Sequence, residues 1–312
     1  MSRPCIFLMG PTASGKTHLA VTLVKHLPCD IISVDSAMVY RGMDIGTAKP
    51  SPEILLQAPH RLIDIRDPKE SYSAGQFCTE ALREIQTIHR QGRIPLLVGG
   101  TGLYFRSLQC GLSELPSANP EIRQRLAEQA ERFGWPALHQ HLARIDPLSA
   151  QKIHPRDPQR IQRALEVYEI TGYPLSFWYR QAATQKWETP VIKIVLAPAQ
   201  RHVLHVRIAQ RFQTMLAHGL IAEVDSLFKR GDLNLELPAL RAVGYRQVWH
   251  YLTGKLDYEN LILQGIIATR QLAKRQLTWL RSETETHWFD SQSADVSQEV
   301  LRYLQNMLPN YL

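Results

Sequence analysis

The chain has 312 residues, room for about two domains and a large core, and its 44% hydrophobic and 21% charged content describes a folded chain rather than a disordered one. A net charge of +7 favours a polyanionic partner, because lysine and arginine neutralise phosphates and release their counterions. The four cysteines, Cys5, Cys29, Cys78 and Cys110, form no C-x-x-C pair, which excludes the usual zinc spacing and suggests reduced thiols; the apolar run after Arg3 is too short for a signal sequence and none approaches the roughly 20 residues of a membrane span, so a cytoplasmic protein is expected.

From the N-terminus the pattern alternates strand and helix. Apolar runs predict strands at Cys5–Met9, Ile31–Val34, Leu62–Ile65 and Ile94–Val98. Helical spacing predicts helices at Lys16–Leu27 and about Ala74–Gln91, the second from Phe77, Ala81, Leu82, Ile85 and Ile88. Short apolar strands between helices imply a parallel sheet covered on both faces.

Beyond Glu114 the strand-like runs stop. Asn119-Pro120, Asp146-Pro147 and Asp157-Pro158 each pair an N-cap residue with proline at the first helical position. Gly172 followed by Pro174 reads as a helix stop. Residues 114–189 are therefore expected to form an all-helical module. Lys193–Ala197 looks like one more buried strand, so the module is inserted into a core domain made of residues 1–113 and 190–312. A long helix over Gln200–Arg230 and further helices complete the reading.

The first strand runs into Gly10-Pro11-Thr12-Ala13-Ser14-Gly15-Lys16-Thr17, a full G-x-x-x-x-G-K-[ST] match between a strand and a helix, the context that gives it meaning. Such a loop curls so that its backbone N–H groups, the helix N-terminus and Lys16 face one anion. The expected class is thus a P-loop NTPase-like α/β fold. Ligands of such sheets bind at the carboxyl ends of the strands, where Asp35-Ser36 and Gly99-Gly-Thr-Gly102 emerge.

Asp35 is the candidate general base; the competing readings are that it orders the water shell of a magnesium ion or, third, that it caps a helix. Only four strand residues precede it and no second acid follows, unlike a Walker-B segment. Thr101 offers a hydroxyl where glycines allow close approach, or an N-cap. Asp44-Ile-Gly-Thr-Ala-Lys-Pro50 could line a cleft. Arg207 and Arg211, four apart, suit a phosphate clamp or a solvated helix face. Arg270, Lys274 and Arg281 share one helical face, with Leu272, Ala273 and Leu280 on another arc. Arg156, Arg160 and Arg163 form a second basic cluster. Arg241 to Arg246 form a third, with Tyr245 able to stack on a base. Such faces are often merely solvated, but three in three regions favour nucleic acid. The twelve histidines are taken as structural. On these residues alone, a P-loop kinase or NTPase and a non-catalytic RNA-binding protein stay open.

The phosphate loop, Val34-Asp-Ser-Ala-Met-Val-Tyr40, Asp44–Pro50, Gly99-Gly-Thr-Gly-Leu-Tyr104 and Lys274-Arg-Gln-Leu-Thr-Trp-Leu-Arg281 together closely resemble the bacterial tRNA dimethylallyltransferases (isopentenyl-tRNA transferases), over about Ile6 to Trp288. The resemblance implies transfer of a dimethylallyl group from dimethylallyl diphosphate to N6 of the adenosine just 3′ of a tRNA anticodon, with Mg2+; a monomer is expected by default, as no long apolar face is left over. It makes Asp35 the base on the amine, assisted by Thr101. Gly10, Thr12, Ala13, Ser14, Gly15, Lys16 and Thr17 would hold the diphosphate with Arg207 or, preferentially, Arg211, and Thr17 would also reach the metal. Asp35, Ser36, Ala37, Met38, Thr101 and Arg123 would touch tRNA. So would Gln159, Arg160, Ile161, Gln162 and Arg163; Arg241, Ala242, Val243, Gly244, Tyr245 and Arg246; and Lys274, Arg275, Gln276, Leu277, Thr278, Trp279, Leu280 and Arg281. Met38 departs from the Gln of many relatives, and the zinc finger of some eukaryotic relatives is not expected here.

Overall fold

The protein is described by a computed structural model over residues 4–110, 115–182, 187 and 189–309. By its internal contacts the chain divides into two compact units, Met1–Phe105 with Glu188–Leu312, and Arg106–Trp187.

In chain order the first unit opens with β1 (Cys5–Met9), α1 (Lys16–His26), β2 (Cys29–Val34), α2 (Pro52–Gln57), β3 (His60–Arg61), α3 (Ala74–Arg90), β4 (Ile94–Gly99) and α4 (Gly102–Cys110), which runs across the unit boundary. The second unit is helical in its described residues: α5 (Pro120–Phe133), α6 (Trp135–Ile145), α7 (Pro147–Lys152), α8 (Pro158–Thr171) and α9 (Leu175–Ala182). The first unit resumes with β5 (Val191–Ala197), α10 (Arg201–Ala217), α11 (Leu220–Phe228), α12 (Tyr245–Leu252), α13 (Tyr258–Leu280), β6 (Thr286–Asp290) and α14 (Val296–Met307).

The six strands form one sheet in the order β3-β2-β4-β1-β5-β6, every pairing parallel. Alternate residues supply its two faces. Ile6 and Leu8 of β1 join Leu19 and Leu23 of α1 and Val300 and Leu304 of α14 in one core cluster. Phe7 points the other way, its ring 5.0 Å from Phe105 of α4, while Phe77 of α3 stacks on Tyr104 at 4.3 Å. All the strands therefore end on one side, and the loops after β1, β2 and β4 meet there. In the helical unit the proline-led starts behave as read: the side chains of Asn119, Asp146 and Asp157 accept the first free N–H groups of α5, α7 and α8.

Three local expectations fail. The segment Leu62–Ile65 is not a strand: pairing ends at Arg61, because Leu62 and Asp64 turn into left-handed backbone at φ 63° and 56°. The helix expected over Gln200–Arg230 is two, broken at Gly219, where φ is +98°. The C-terminal part is not wholly helical, since Thr286–Asp290 adds an edge strand beside β5. That strand carries two exposed residues among five, so no apolar run announced it.

Candidate active site

The strand ends surround a cavity of about 770 Å³ whose lining comes entirely from the first unit. The phosphate loop supplies Thr12 to Thr17, the exit of β2 supplies Asp35, Ala37 and Met38, and the next loop supplies Gly46 to Pro50. Arg211, Phe212 and Met215 of α10, with Leu272 and Gln276 of α13, complete a wall that is part cationic and part apolar.

The loop takes its shape from residues in the left-handed region: Ala13 at φ 62° and Gly15, which caps α1, at φ 92°. Lys16 reaches back to donate to the Pro11 carbonyl at 2.7 Å. Burial pulls its ammonium down to about 7, with the Arg211 guanidinium adding to the effect and Asp35 opposing it. Arg211 is itself desolvated, which works against its charge, and Asp35 partly restores it. Among the described residues Asp35 is the one acid acting on these two desolvated cations, so a polyanion is what this wall is suited to hold. Thr17 lies on the same wall with its hydroxyl at the start of α1.

Asp35 closes a turn with one oxygen, with no helix there to cap, and faces the cavity. Its Oδ1 accepts from the N–H groups of Ala37, at 2.8 Å, and Met38, at 3.4 Å. Its other oxygen has no hydrogen bond among the described residues, and the residue lines the cavity. Thr101 accepts the Ser36 N–H at 3.2 Å and so sits beside the exit of β2. Met38 is anchored from behind, its sulfur taking the Ser33 hydroxyl.

Several expected positions have other occupations. Arg207 does not join Arg211; it donates to the hydroxyl and carbonyl of Ser291 and is absent from the cavity lining. The Thr12 N–H is engaged by the Gln276 side chain at 2.8 Å and so is not open to a ligand. Gly10 packs underneath, where a Cβ would fall 2.3 Å from the Leu196 carbonyl oxygen. The glycines after β4 make room for α13 rather than for a ligand: Gly100 lies against Gln276 and Gly102 against the Trp279 ring. Gln276, expected on RNA, is thus a clasp, its Nε2 donating to the Gly100 carbonyl while its Oε1 holds the phosphate loop.

Burial corrects the RNA-facing expectations further. Tyr245 cannot stack on a base, since it is fully buried with its hydroxyl on Glu223. Ile161 and Leu280 are fully buried as well. Ala242, Val243 and Gly244 line the cavity, and Arg241 pairs with Glu236. Lys274, Arg275, Thr278, Arg281 and Arg246 are exposed, and Leu277 and Trp279 half-buried. In the helical unit Arg123 and Arg163 both clamp the fully buried Glu166. Burial pushes the Glu166 carboxyl up, but the arginine bonds outweigh it and hold it lowered. Gln162 donates to the Arg123 carbonyl, whereas Gln159 and Arg160 are exposed.

One residue at the site was not anticipated. The Glu223 carboxylate accepts the N–H groups of Asp44, Ile45 and Gly46 at 2.9, 2.7 and 3.1 Å and the Tyr245 hydroxyl at 2.5 Å, fixing the loop that lines the cavity with Gly46 to Pro50. Its signal in the sequence is an acid three residues after Leu220 and just before Val224, on the apolar face of α11.

A family model described as IPP transferase matches residues 38–283. The chain belongs to this family. The match begins after the phosphate loop, but similarity to whole members covers that too. A tRNA dimethylallyltransferase of Thioalkalivibrio sulfidiphilus is 58% identical over 97% of this chain and 94% of its own. A tRNA dimethylallyltransferase 2 of Hahella chejuensis is 52% identical over 98% and 96%. Among solved structures, the full-length tRNA isopentenylpyrophosphate transferase of Bacillus halodurans has a TM-score of 0.73 at 37% identity, covering 99% of this chain and 98% of that one. A eukaryotic dimethylallyltransferase, solved acting on tRNA, has a TM-score of 0.83 at 26% identity over 99% of this chain and 80% of that one. As an IPP transferase the chain owes its P-loop-like sheet and helical insertion to a family architecture.

Proposed function

We propose that this protein transfers a dimethylallyl group from dimethylallyl diphosphate to N6 of the adenosine 3′ of the anticodon in tRNA, releasing diphosphate. The observation that carries the reading is the pairing of a diphosphate cradle with a carboxylate in one cavity: Lys16, Arg211 and the loop amides on the wall, Asp35 beside them. The bond from the allylic carbon to the diphosphate oxygen breaks and a carbon–nitrogen bond to N6 forms. The electron pair leaves with the diphosphate, where Lys16, Arg211 and the loop donors stabilise the growing charge. Asp35 takes the N6 proton through its free oxygen, an assistance typically worth about 10²–10⁴-fold, and Thr101 steadies the segment carrying it.

The residues present fit Mg2+. That ion keeps few protein ligands and takes hard oxygens, substrate phosphates included, and Thr17 offers such an oxygen beside the cradle. Among the described residues no three His, Cys, Asp or Glu side chains gather as a softer or fully caged site would need. Bound there, the ion would neutralise charge on the diphosphate.

The target adenine leaves its stack to reach Asp35, at a cost of a few kcal/mol that is least in a single-stranded loop. The net charge of +7 and the exposed Lys274, Arg275 and Arg281 support an RNA partner. A tRNA substrate puts the work in the cytoplasm, and no helix among the described residues is long and apolar enough to cross a membrane. We take the protein to act as a monomer. The test is to incubate the protein with tRNA, Mg2+ and dimethylallyl diphosphate and analyse the nucleosides by mass spectrometry, with calorimetry comparing that donor with ATP. N6-dimethylallyladenosine is the expected product; tight ATP binding with no binding of the prenyl donor refutes the assignment.

A further inference from the structure

A second cavity, of about 240 Å³, opens where β5 and β6 end, at the edge of the sheet. Arg201, Leu277, Arg281 and Trp288 are among the residues lining it, with Phe289 and Asp290 from the end of β6. Trp288 is an unusual residue to leave outside: 42% of it is exposed. Its indole N–H is committed to the Thr286 hydroxyl at 3.2 Å, which pins the polar edge of the ring. Arg201 and Arg281 are both exposed, and neither forms an ion pair among the described residues; Arg201 donates only to the His205 ring. Asp290 is the one acid in the lining. Its Oδ1 is held by the N–H groups of Ala199 and Gln292, so it serves the turn after β5 and leaves its other oxygen as an acceptor. An indole with two unpaired guanidiniums and one acceptor is the chemistry that holds a nucleotide. The ring stacks on a base, an arginine meets the phosphate, and the carboxylate oxygen takes a base N–H.

The position of this cavity says which nucleotide. On α13, Gln276 lines the main cavity and its neighbour Leu277 lines the second, so the two lie on different sides of one helix. On α10, Leu204 lines the second cavity and Ile208, one turn further on, lines the main one, an axial offset of about 6 Å. Taking the tRNA reading above as the basis, we infer that this second cavity seats an unstacked nucleotide of the same anticodon loop, a near neighbour of the target adenosine, with Trp288 as the stacking platform and Arg201 and Arg281 as its phosphate contacts. The site makes tRNA binding depend on the loop's flanking nucleotides without touching the prenyl donor.

The experiment measures prenyl transfer to an anticodon stem-loop RNA by wild type, Trp288→Ala, Trp288→Phe and Arg201→Ala, titrating RNA and dimethylallyl diphosphate separately. Loss of a stacking ring costs roughly 5- to 150-fold in affinity. Trp288→Ala should therefore raise KM for the RNA within that range while kcat and KM for the diphosphate stay within about twofold, and Trp288→Phe should recover most of the loss. Arg201→Ala should lower the slope of log affinity against log salt by about 0.7, the value for one single-strand phosphate contact; this holds the inference to account even if Trp288→Ala unfolds. An unchanged RNA KM together with an unchanged salt slope overturns it, and so does a rise in KM for the diphosphate in place of the RNA. Failure of the wild-type protein to modify or bind the RNA is the separate result that would remove the tRNA reading itself.

Discussion

Glu223 is where the structure makes its sharpest demand. Its carboxylate is the shared acceptor of three successive backbone N–H groups and a buried tyrosine hydroxyl. A net hydrogen bond to a charged group contributes about 1.5–3 kcal/mol, and a buried donor left alone costs about 1–3 kcal/mol. The Asp44 N–H is at the exposed end and rehydrates when the acceptor goes, so three bonds count: those from Ile45, Gly46 and the Tyr245 hydroxyl. Taking the lower value for each and allowing for non-additivity, Glu223→Ala should destabilise by roughly 3–5 kcal/mol. Glu223→Gln keeps a neutral acceptor and should lose about half as much. The Asp44–Pro50 loop retains its second anchor, because Lys49 still binds Asp44, Asp64 and the Tyr40 carbonyl. The folded variant should therefore survive with its cavity wall loosened, and kcat/KM should fall more than stability alone explains. Urea unfolding and steady-state kinetics check both halves, with Tyr245→Phe closing a double-mutant cycle. A Glu223→Ala loss below about 1 kcal/mol, with kcat/KM unmoved, refutes the reasoning.

Asp35→Ala should lower turnover at least about 10²-fold while tRNA affinity, measured by filter binding, is nearly unchanged; retained turnover removes Asp35 as the base. Lys16→Met should alter stability with a pH signature. The folded-state value near 7 lies below the ordinary 10.5, so between those pH values the unfolded chain binds more protons and wild-type stability rises with pH. The methionine variant should accordingly hold its greatest advantage in the ligand-free protein at pH 6 and lose it by pH 10; a constant offset across urea titrations at both pH values would contradict this. Gly102→Ala separates local from tertiary control: helix propensity favours alanine by about 1 kcal/mol. The new Cβ, however, would stand 2.5 Å from two Trp279 ring carbons, and such overpacking costs about 1–3 kcal/mol. Destabilisation in urea is expected, and stabilisation would mean that the ring moves freely.

The strands and the phosphate loop were legible because their physics is local. A fully buried parallel strand must be apolar throughout, as β1 and β4 are, and a loop that bends around an anion must place glycine where Gly15 turns left-handed. The helix starts of the insertion were legible for the same reason, since a cap and its proline act within one turn. What was lost depends on contacts distant in sequence. Nothing near Thr286–Asp290 says strand; only the open edge of β5 does. Nor does anything near Arg207 distinguish it from Arg211, until Ser291 appears 84 positions away to take the first.

The segment Lys274–Arg281 shows how a motif can be correct in importance and misleading in role. The family resemblance puts all eight residues on RNA, although helical phasing already sets Leu280 on a separate arc from Lys274 and Arg281. In the fold they divide by helical phase. Gln276 and Trp279 face inward against Gly100 and Gly102, and Leu280 is buried; Lys274, Arg275, Thr278 and Arg281 face out. The inward group couples the two halves of the chemistry. Gln276 holds the Thr12 N–H with one end of its amide and the Gly100 carbonyl with the other, so the diphosphate cradle and the loop carrying Thr101 are set by one side chain. On the proposed function, exposed cations on one face of α13 and the clasped phosphate loop on the other would tie donor geometry to RNA binding through one rigid element. The loop after β4 then needs glycine for a reason that concerns no ligand: a side chain at Gly100 would displace the amide that holds the two loops together.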